Sequence, residues 1–386
     1  MPVKLNSSTG MCLEQKEIQE FCVFLPHLLN EKGHHYAYNR SVQKAVELLG
    51  WKFRAYISNC CSISDIGPEW EIIFQKQLGR WGRYVSVILR LLQYVKIFRE
   101  KRSSKRIYFL EDFASLELFL ISVSILFSRS HVDSFWILHR FSPSRHRYKG
   151  IIISFCLRLM RKQLRSRFRE WTDSCILQKE LNKATAGKIG ILPIPHAPIH
   201  LHSLFTKKST SPNDPFRLWW PGEPRDSKGI AEVQKILRLS SAPPKTCEVI
   251  AASNAALPLP SSKYVLLRRV PPILSRSSYE RLLEESDGIL LPYDPIAYLE
   301  NTSGIFVEAI IAGKTPFVRW GSWLAKELQR HALNELIINW GHPHLLCHIW
   351  NLLQDDRIKC KLNAMQQYYV QFHSIQNFAR SIQQCL

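Results

Sequence analysis

Short, almost wholly apolar runs alternate along the chain with longer stretches of helical period. Residues 21–26 (FCVFLP) are such a run, and the polar loop behind it carries Gly33, His34 and His35. Residues 39–49 repeat apolar positions at helical spacing, and 52–57 form a second strand-like run. Runs of four to eight apolar residues between turn signals fit strands covered on both faces, whereas spacings of three and four fit a helix. Strand, loop, helix and strand on short links predict a parallel α/β layer. The rhythm returns with a strand over 106–113, a buried helix over 116–128 and a strand over 134–141. A basic helix over 149–170 and short strands over 174–177 and 189–195 complete a first doubly wound domain, 1–195.

The pattern lapses over 196–214, where Pro, His, Ser and Lys dominate, which predicts an interdomain linker. A second α/β series fills 215–361. Its strands are predicted at 216–220, 248–252, 264–268, 288–291 and 315–319, and its helices at 227–239, 277–286, 304–312, 322–328 and 342–353. The tail, 362–386, has a helical period over 362–384 and is expected to pack back on the first domain. The fold class is therefore α/β, two Rossmann-like doubly wound domains facing a cleft.

A length of 386 residues agrees with two cores. Hydrophobic residues at 46% and charged residues at 22% exclude a disordered or fibrous chain. The net charge of +20 points to an anionic partner without choosing between nucleic acid, phosphorylated substrate and acidic membrane. Ten cysteines occur with no CxxC pair, so neither a zinc module nor a disulfide scaffold is expected. No signal-peptide pattern opens the sequence, and Glu111, Asp112 and Glu117 interrupt the longest apolar region. A reducing cytoplasm is the expected compartment.

Several motifs are missing. There is no Asp-x-Asp to hold a divalent ion on a diphosphate. Gly313-Lys314-Thr315 resembles the end of a phosphate loop, but Glu308 stands where the first glycine belongs. Neither G-x-G-x-x-G after a strand nor G-x-S-x-G occurs.

The richest stretch is 290–318, LLPYDPIAYLENTSGIFVEAIIAGKTPFV. A strand ends at Pro292, a polar loop follows, and a helix opens at Gly304 with Thr302 and Ser303 as caps. Free N–H groups at that helix start favour an anion. Glu300 just before it and Glu308 one turn inside could hold hydroxyls of a sugar or ribose. An ordinary surface helix with acidic residues near its start is the competing interpretation.

Glu300-Asn-Thr-Ser-Gly-Ile-Phe-Val-Glu308 resembles the donor-site motif of retaining GT-B glycosyltransferases of the group 1, or family 4, type. The segment Trp219-Trp220-Pro-Gly222-Glu-Pro-Arg225-Asp-Ser-Lys228-Gly229 is similar to the family's strand-end segment, whose two cations bind the donor diphosphate. The resemblance implies a nucleotide-diphosphate sugar as co-substrate, hexosyl transfer to a hydroxyl of a glycan or lipid-linked acceptor, retention of configuration, and no metal or other cofactor. It implies Arg225, Lys228, Ser303, Gly304 and Glu308 for donor binding, with Glu300 on the donor sugar. Gly33, His34 and His35 occupy the family's acceptor-side loop, and His139 closes a strand where members often reach the donor sugar.

His196, His200 and His202, and separately His342, His344, Cys347 and His348, lack paired ligands at finger spacing. The basic stretches 79–106 and 148–171 fit either core helices with a solvated face or docking on anionic lipid headgroups, which would make the chain peripheral on a membrane. Two other functions stay open: a catalytically silent sugar-nucleotide or glycan binder, and a basic nucleic-acid-binding α/β protein. No RNA motif or recognition helix accompanies the charge, so nucleic acid is not the expected partner.

Overall fold

The computed structural model describes residues 19–30, 35–63, 66–75, 82–101, 103–143, 147–184, 189–196 and 214–385. The first half is β1 (Gln19–Leu25), α1 (His35–Leu48), β2 (Lys52–Ser58), β3 (Trp70–Phe74), α2 (Gly82–Arg99), β4 (Lys105–Leu110), α3 (Ser115–Ser128), β5 (Ser134–His139), α4 (Arg147–Leu164), β6 (Phe168–Thr172), α5 (Cys175–Ala184) and β7 (Gly190–Ile191). Its strands form a seven-stranded sheet, β3-β2-β1-β4-β5-β6-β7, parallel throughout.

The second half has β8 (Phe216–Trp220), α6 (Ile230–Leu237), β9 (Cys247–Ala252), β10 (Val265–Val270), α7 (Arg276–Glu285), β11 (Gly288–Leu291), α8 (Gly304–Ile311), β12 (Thr315–Val318), α9 (Trp323–Arg330) and α10 (Leu345–Gln354). Its five-stranded sheet runs β10-β9-β8-β11-β12, again parallel. Helices α11 (Asp356–Phe372) and α12 (Ile375–Gln383) follow, and α12 packs against α1 of the first half. The architecture is two parallel sheets with interleaved helices.

Strand alternation divides the first half into two cores. Phe21, Val23 and Leu25 of β1 face one side with Trp136 and Leu138, in a core that continues into the second half. Cys22 and Phe24 face the other side, where Phe24 stacks on Tyr56 and Tyr108 beneath α2, α3 and α4. The end of the first half meets the tail as it returns from the second half. There the His196 N–H donates to the His373 carbonyl (3.0 Å), and His373 Nδ1 donates to the Ile194 carbonyl (3.1 Å).

Several expected elements differ. The helix predicted over 149–170 stops at Leu164, because Arg165 takes a left-handed φ of 52°, and Phe168–Thr172 becomes a strand. The strand expected at 174–177 is instead the start of α5, where the Ser174 hydroxyl accepts from the Leu177 N–H (3.2 Å). Strand β3 has no counterpart in the sequence reading. The tail is two helices rather than one, broken where Ser174's counterpart in capping, Ser374, accepts from Asn377 N–H. Most of the expected linker, residues 197–213, lies outside the described residues, as do Gly33, His34, His200 and His202.

Candidate functional site

In the second sheet the connections leaving β8 and β11 run to opposite sides, so a crevice opens between the carboxyl ends of these two strands. Both sequence motifs end there. After β8 the chain makes a 3-10 turn over Asp226–Lys228, and Gly229 continues with φ +79° into α6. A Cβ on Gly229 would collide with the carbonyl oxygen of Pro292, just past β11. The Asp294 N–H donates to the Ser227 carbonyl (2.9 Å), so the two loops are stitched together.

Lys228 is 8% exposed. Its Nζ lies 5.6 Å from the centre of the Tyr293 ring and against Gly222, which Ile305 of α8 also borders. Among the described residues no carboxylate lies within ion-pair distance of it. Burial, and then the Arg225 guanidinium, lower its pKa to about 8. A buried ammonium with no carboxylate in contact favours an anion.

Helix α8 starts beside it. Ser303 caps the helix, its Oγ accepting from the Phe306 N–H (3.2 Å), while the space beside the Gly304 α-carbon is open for 4 Å. Glu300 is buried. Glu308 accepts from Arg276 Nη1 of α7 (2.9 Å) and lies 3.6 Å from His196 Nδ1. Burial would raise the Glu308 carboxyl, but His196 and Arg276 hold it below the usual range. Burial also lowers the His196 imidazole, so near neutral pH the guanidinium is the charge beside Glu308. Arg225 is 59% exposed and pairs with Glu223 at 3.4 Å.

The strand ends of the first sheet make the opposite wall. His35 opens α1 with Nδ1 2.7 Å from Glu111 Oε1. Burial would lower this imidazole, but the bond and charge of Glu111, with Asp112, hold it above the usual value. His139 turns away: it is 1% exposed, its Nε2 is 2.9 Å from Glu170 Oε1, and Arg161 grips the same carboxylate (2.5 and 2.7 Å). Alternation at the end of β5 sends His139 towards Phe113 and the face under α4, and the next residue, Arg140, to the other face.

Arg140 lies 5.1 Å over the Tyr38 ring and ion-pairs with Asp173. Asp173 also accepts from the Thr302 hydroxyl (2.8 Å), which joins the two walls. Arg140 Nη2, Glu111 Oε2 and the Tyr38 hydroxyl are buried with no hydrogen-bond partner among the described residues. The sequence reading missed Tyr38, Arg140 and Asp173, and took Glu111 only as an interruption of an apolar run. Their one common signal is position: Glu111, Arg140 and Asp173 each stand just past a predicted or observed strand end. Among the described residues no three His, Cys, Asp or Glu side chains are placed to hold a metal ion.

No family model matches the chain, and no curated protein matches it by sequence. Solved structures do. The trehalose-6-phosphate protein from E. coli bound with UDP-2-fluoro glucose is 10% identical, with a TM-score of 0.63 over 95% of this chain and 98% of that one. The lipopolysaccharide outer core galactosyltransferase WaaB, in its apo form, is 9% identical, with a TM-score of 0.63 over 96% and 100%. WaaG, a glycosyltransferase involved in lipopolysaccharide biosynthesis, is 12% identical, with a TM-score of 0.56 over 95% and 98%. The chain has the GT-B fold. Within this GT-B chain, Lys228 and the start of α8 form one wall of the junction. Glu111, Arg140 and Asp173 form the other.

Proposed function

We propose that this chain transfers a hexose from a nucleoside-diphosphate sugar to a hydroxyl of a glycan or lipid-linked acceptor. We assign it retention of configuration, no metal, and a cytoplasmic, peripheral location. The observation that carries this reading is the buried, unpaired ammonium of Lys228 against the open N-terminus of α8. The UDP-2-fluoro glucose held by a protein of the same fold supports the choice of ligand.

In this reading the bond from the sugar's anomeric carbon to the diphosphate breaks as the acceptor oxygen bonds to that carbon. The acceptor proton leaves with the diphosphate. Lys228, the α8 amides at Ser303 and Gly304, and Arg225 once it leaves Glu223 stabilise the charge gathering on the leaving group. Glu308 exchanges Arg276 for the ribose hydroxyls, and Glu300 holds hydroxyls of the donor sugar. On the acceptor wall we assign His35, with Gly33 and His34 just before it in the sequence, and Arg140 in place of His139, whose ring faces the other side of the sheet.

Thermal stability against UDP-, GDP-, ADP- and CMP-sugars tests the donor site. A ligand at ~100 times its Kd adds about 2.7 kcal/mol to the folded state. One nucleotide class should raise the melting temperature of the wild type and leave Lys228→Ala and Glu308→Ala unmoved. A wild type indifferent to every nucleotide sugar would overturn the assignment.

A further inference from the structure

Helices α2, α3 and α4 cover one face of the first sheet side by side, with α3 in the middle. Their inner faces build the core around Phe24. Their outer faces are also apolar. On α2, Val85, Ile88, Leu89 and Leu92 are exposed at spacings of three, four and seven, which is one stripe of a helix. On α4, Tyr148, Ile151, Ile152 and Phe155 repeat the same spacing, all exposed. Leu116, Phe119, Leu126 and Phe127 continue the surface across α3. These twelve exposed large apolar side chains on three adjoining helices are more than the singly scattered apolar residues of an ordinary monomer surface.

Charge says what covers it. Followed towards the C-terminus, the α2 stripe turns basic at the exposed Lys96 and Arg99, and the α4 stripe at the exposed Arg158 and Lys162. The only acidic residue in the three helices is Glu117, buried against Arg90 and Tyr94. A second copy would bring like charges together. A bilayer of anionic lipid accepts the apolar side chains at its acyl boundary and the cations among its headgroups.

Direction matters as well. In a parallel sheet each of these helices begins at the carboxyl ends of the strands, the end that carries Glu111 and Arg140. The apolar parts of the α2 and α4 stripes therefore lie nearest the candidate site. We propose that the outer face of α2, α3 and α4 docks on an anionic membrane surface and presents the first-half wall of the site to acceptors held in that membrane. The docking deepens the peripheral placement above; the presentation of acceptors rests on the proposed sugar transfer, whereas vesicle binding is read out separately from it.

The test is co-sedimentation of the full chain with vesicles of phosphatidylcholine alone or mixed equally with phosphatidylglycerol. The expected result is binding to the mixed vesicles about tenfold above the neutral ones, weakened by salt. The pair Ile88→Glu with Ile152→Glu, and separately Lys96→Glu with Lys162→Glu, should each reduce it about tenfold while melting temperature and nucleotide-sugar response stay at wild-type values. Absence of binding to the mixed vesicles, or binding unchanged in both pairs, overturns the proposal. So does a dimer in solution that the Ile88→Glu, Ile152→Glu pair dissociates in a chain that ignores vesicles. None of these results bears on the donor site, whose separate readout is the nucleotide-sugar shift.

Discussion

Lys228 concentrates the chemistry of the proposed donor wall in one proton. Its ammonium has lost most of its water and gained no carboxylate, so its pKa falls to about 8 from 10.5. Between these two values the unfolded chain holds a proton that the folded chain has released, so stability of the free protein rises with pH there. A bound diphosphate has the opposite effect on the group, since it favours the charged form. Binding above about pH 8 must then take up a proton, and affinity falls by up to about tenfold per pH unit. Titration calorimetry with the nucleotide sugar that stabilises the protein should show this decline from pH 7.5 to 9.5. Lys228→Gln should bind more weakly and show a flat profile over the same range. A wild type as flat as the variant would mean that the ammonium does not meet the ligand.

The elements on either side of Lys228 give its position two different kinds of support. Gly229 allows the turn after β8 to lie on Pro292, whereas Gly304 leaves space at the mouth of α8. Alanine at the two positions should therefore separate folding from binding. Gly229→Ala adds a Cβ to a left-handed residue against a backbone oxygen and should cost about 1–3 kcal/mol in denaturant unfolding. Gly304→Ala meets nothing within 4 Å and should unfold within about 0.5 kcal/mol of wild type, yet lose the nucleotide-sugar shift because its methyl enters the phosphate position. Equal losses of stability in both would refute this division. The wall at β8 and α8, proposed for the donor, was legible as a candidate in the sequence because its residues lie in two continuous segments that end at a strand. The opposite wall was not, because Glu111, Arg140 and Asp173 are single residues just past the ends of separate strands that only the sheet order brings together. Strand β6 was hidden for another reason: Phe168 continues the apolar period of α4, and nothing at Arg165 announces a left-handed break.

At the scale of the whole molecule, the two halves are tied where the chain passes between them. His196 leaves the first half, His373 ends α11 before α12 returns to α1, and the His196 N–H donates to the His373 carbonyl with a ring separation of 6.2 Å. His196 also lies beside Glu308, so a donor that claims this carboxylate acts directly on the junction. Burial, with His196 close by, pushes the His373 imidazole down to about 3 from 6.5. The folded chain thus resists a proton that the unfolded chain accepts below 6.5, and the contribution of His373 to stability is lost as pH falls through that window. The slope approaches about 1.4 kcal/mol per pH unit for this one group. An asparagine can donate to the Ile194 carbonyl as Nδ1 does, but it cannot titrate. Urea unfolding of wild type and His373→Asn from pH 7 to pH 4.5 should therefore give curves that converge towards acid, the wild type losing up to about 1.4 kcal/mol per unit more than the variant. Parallel curves would show that acid loosens the protein elsewhere, through carboxylates common to both chains. The junction would then be a passive crossing rather than the place where the two halves are held neutral and dry.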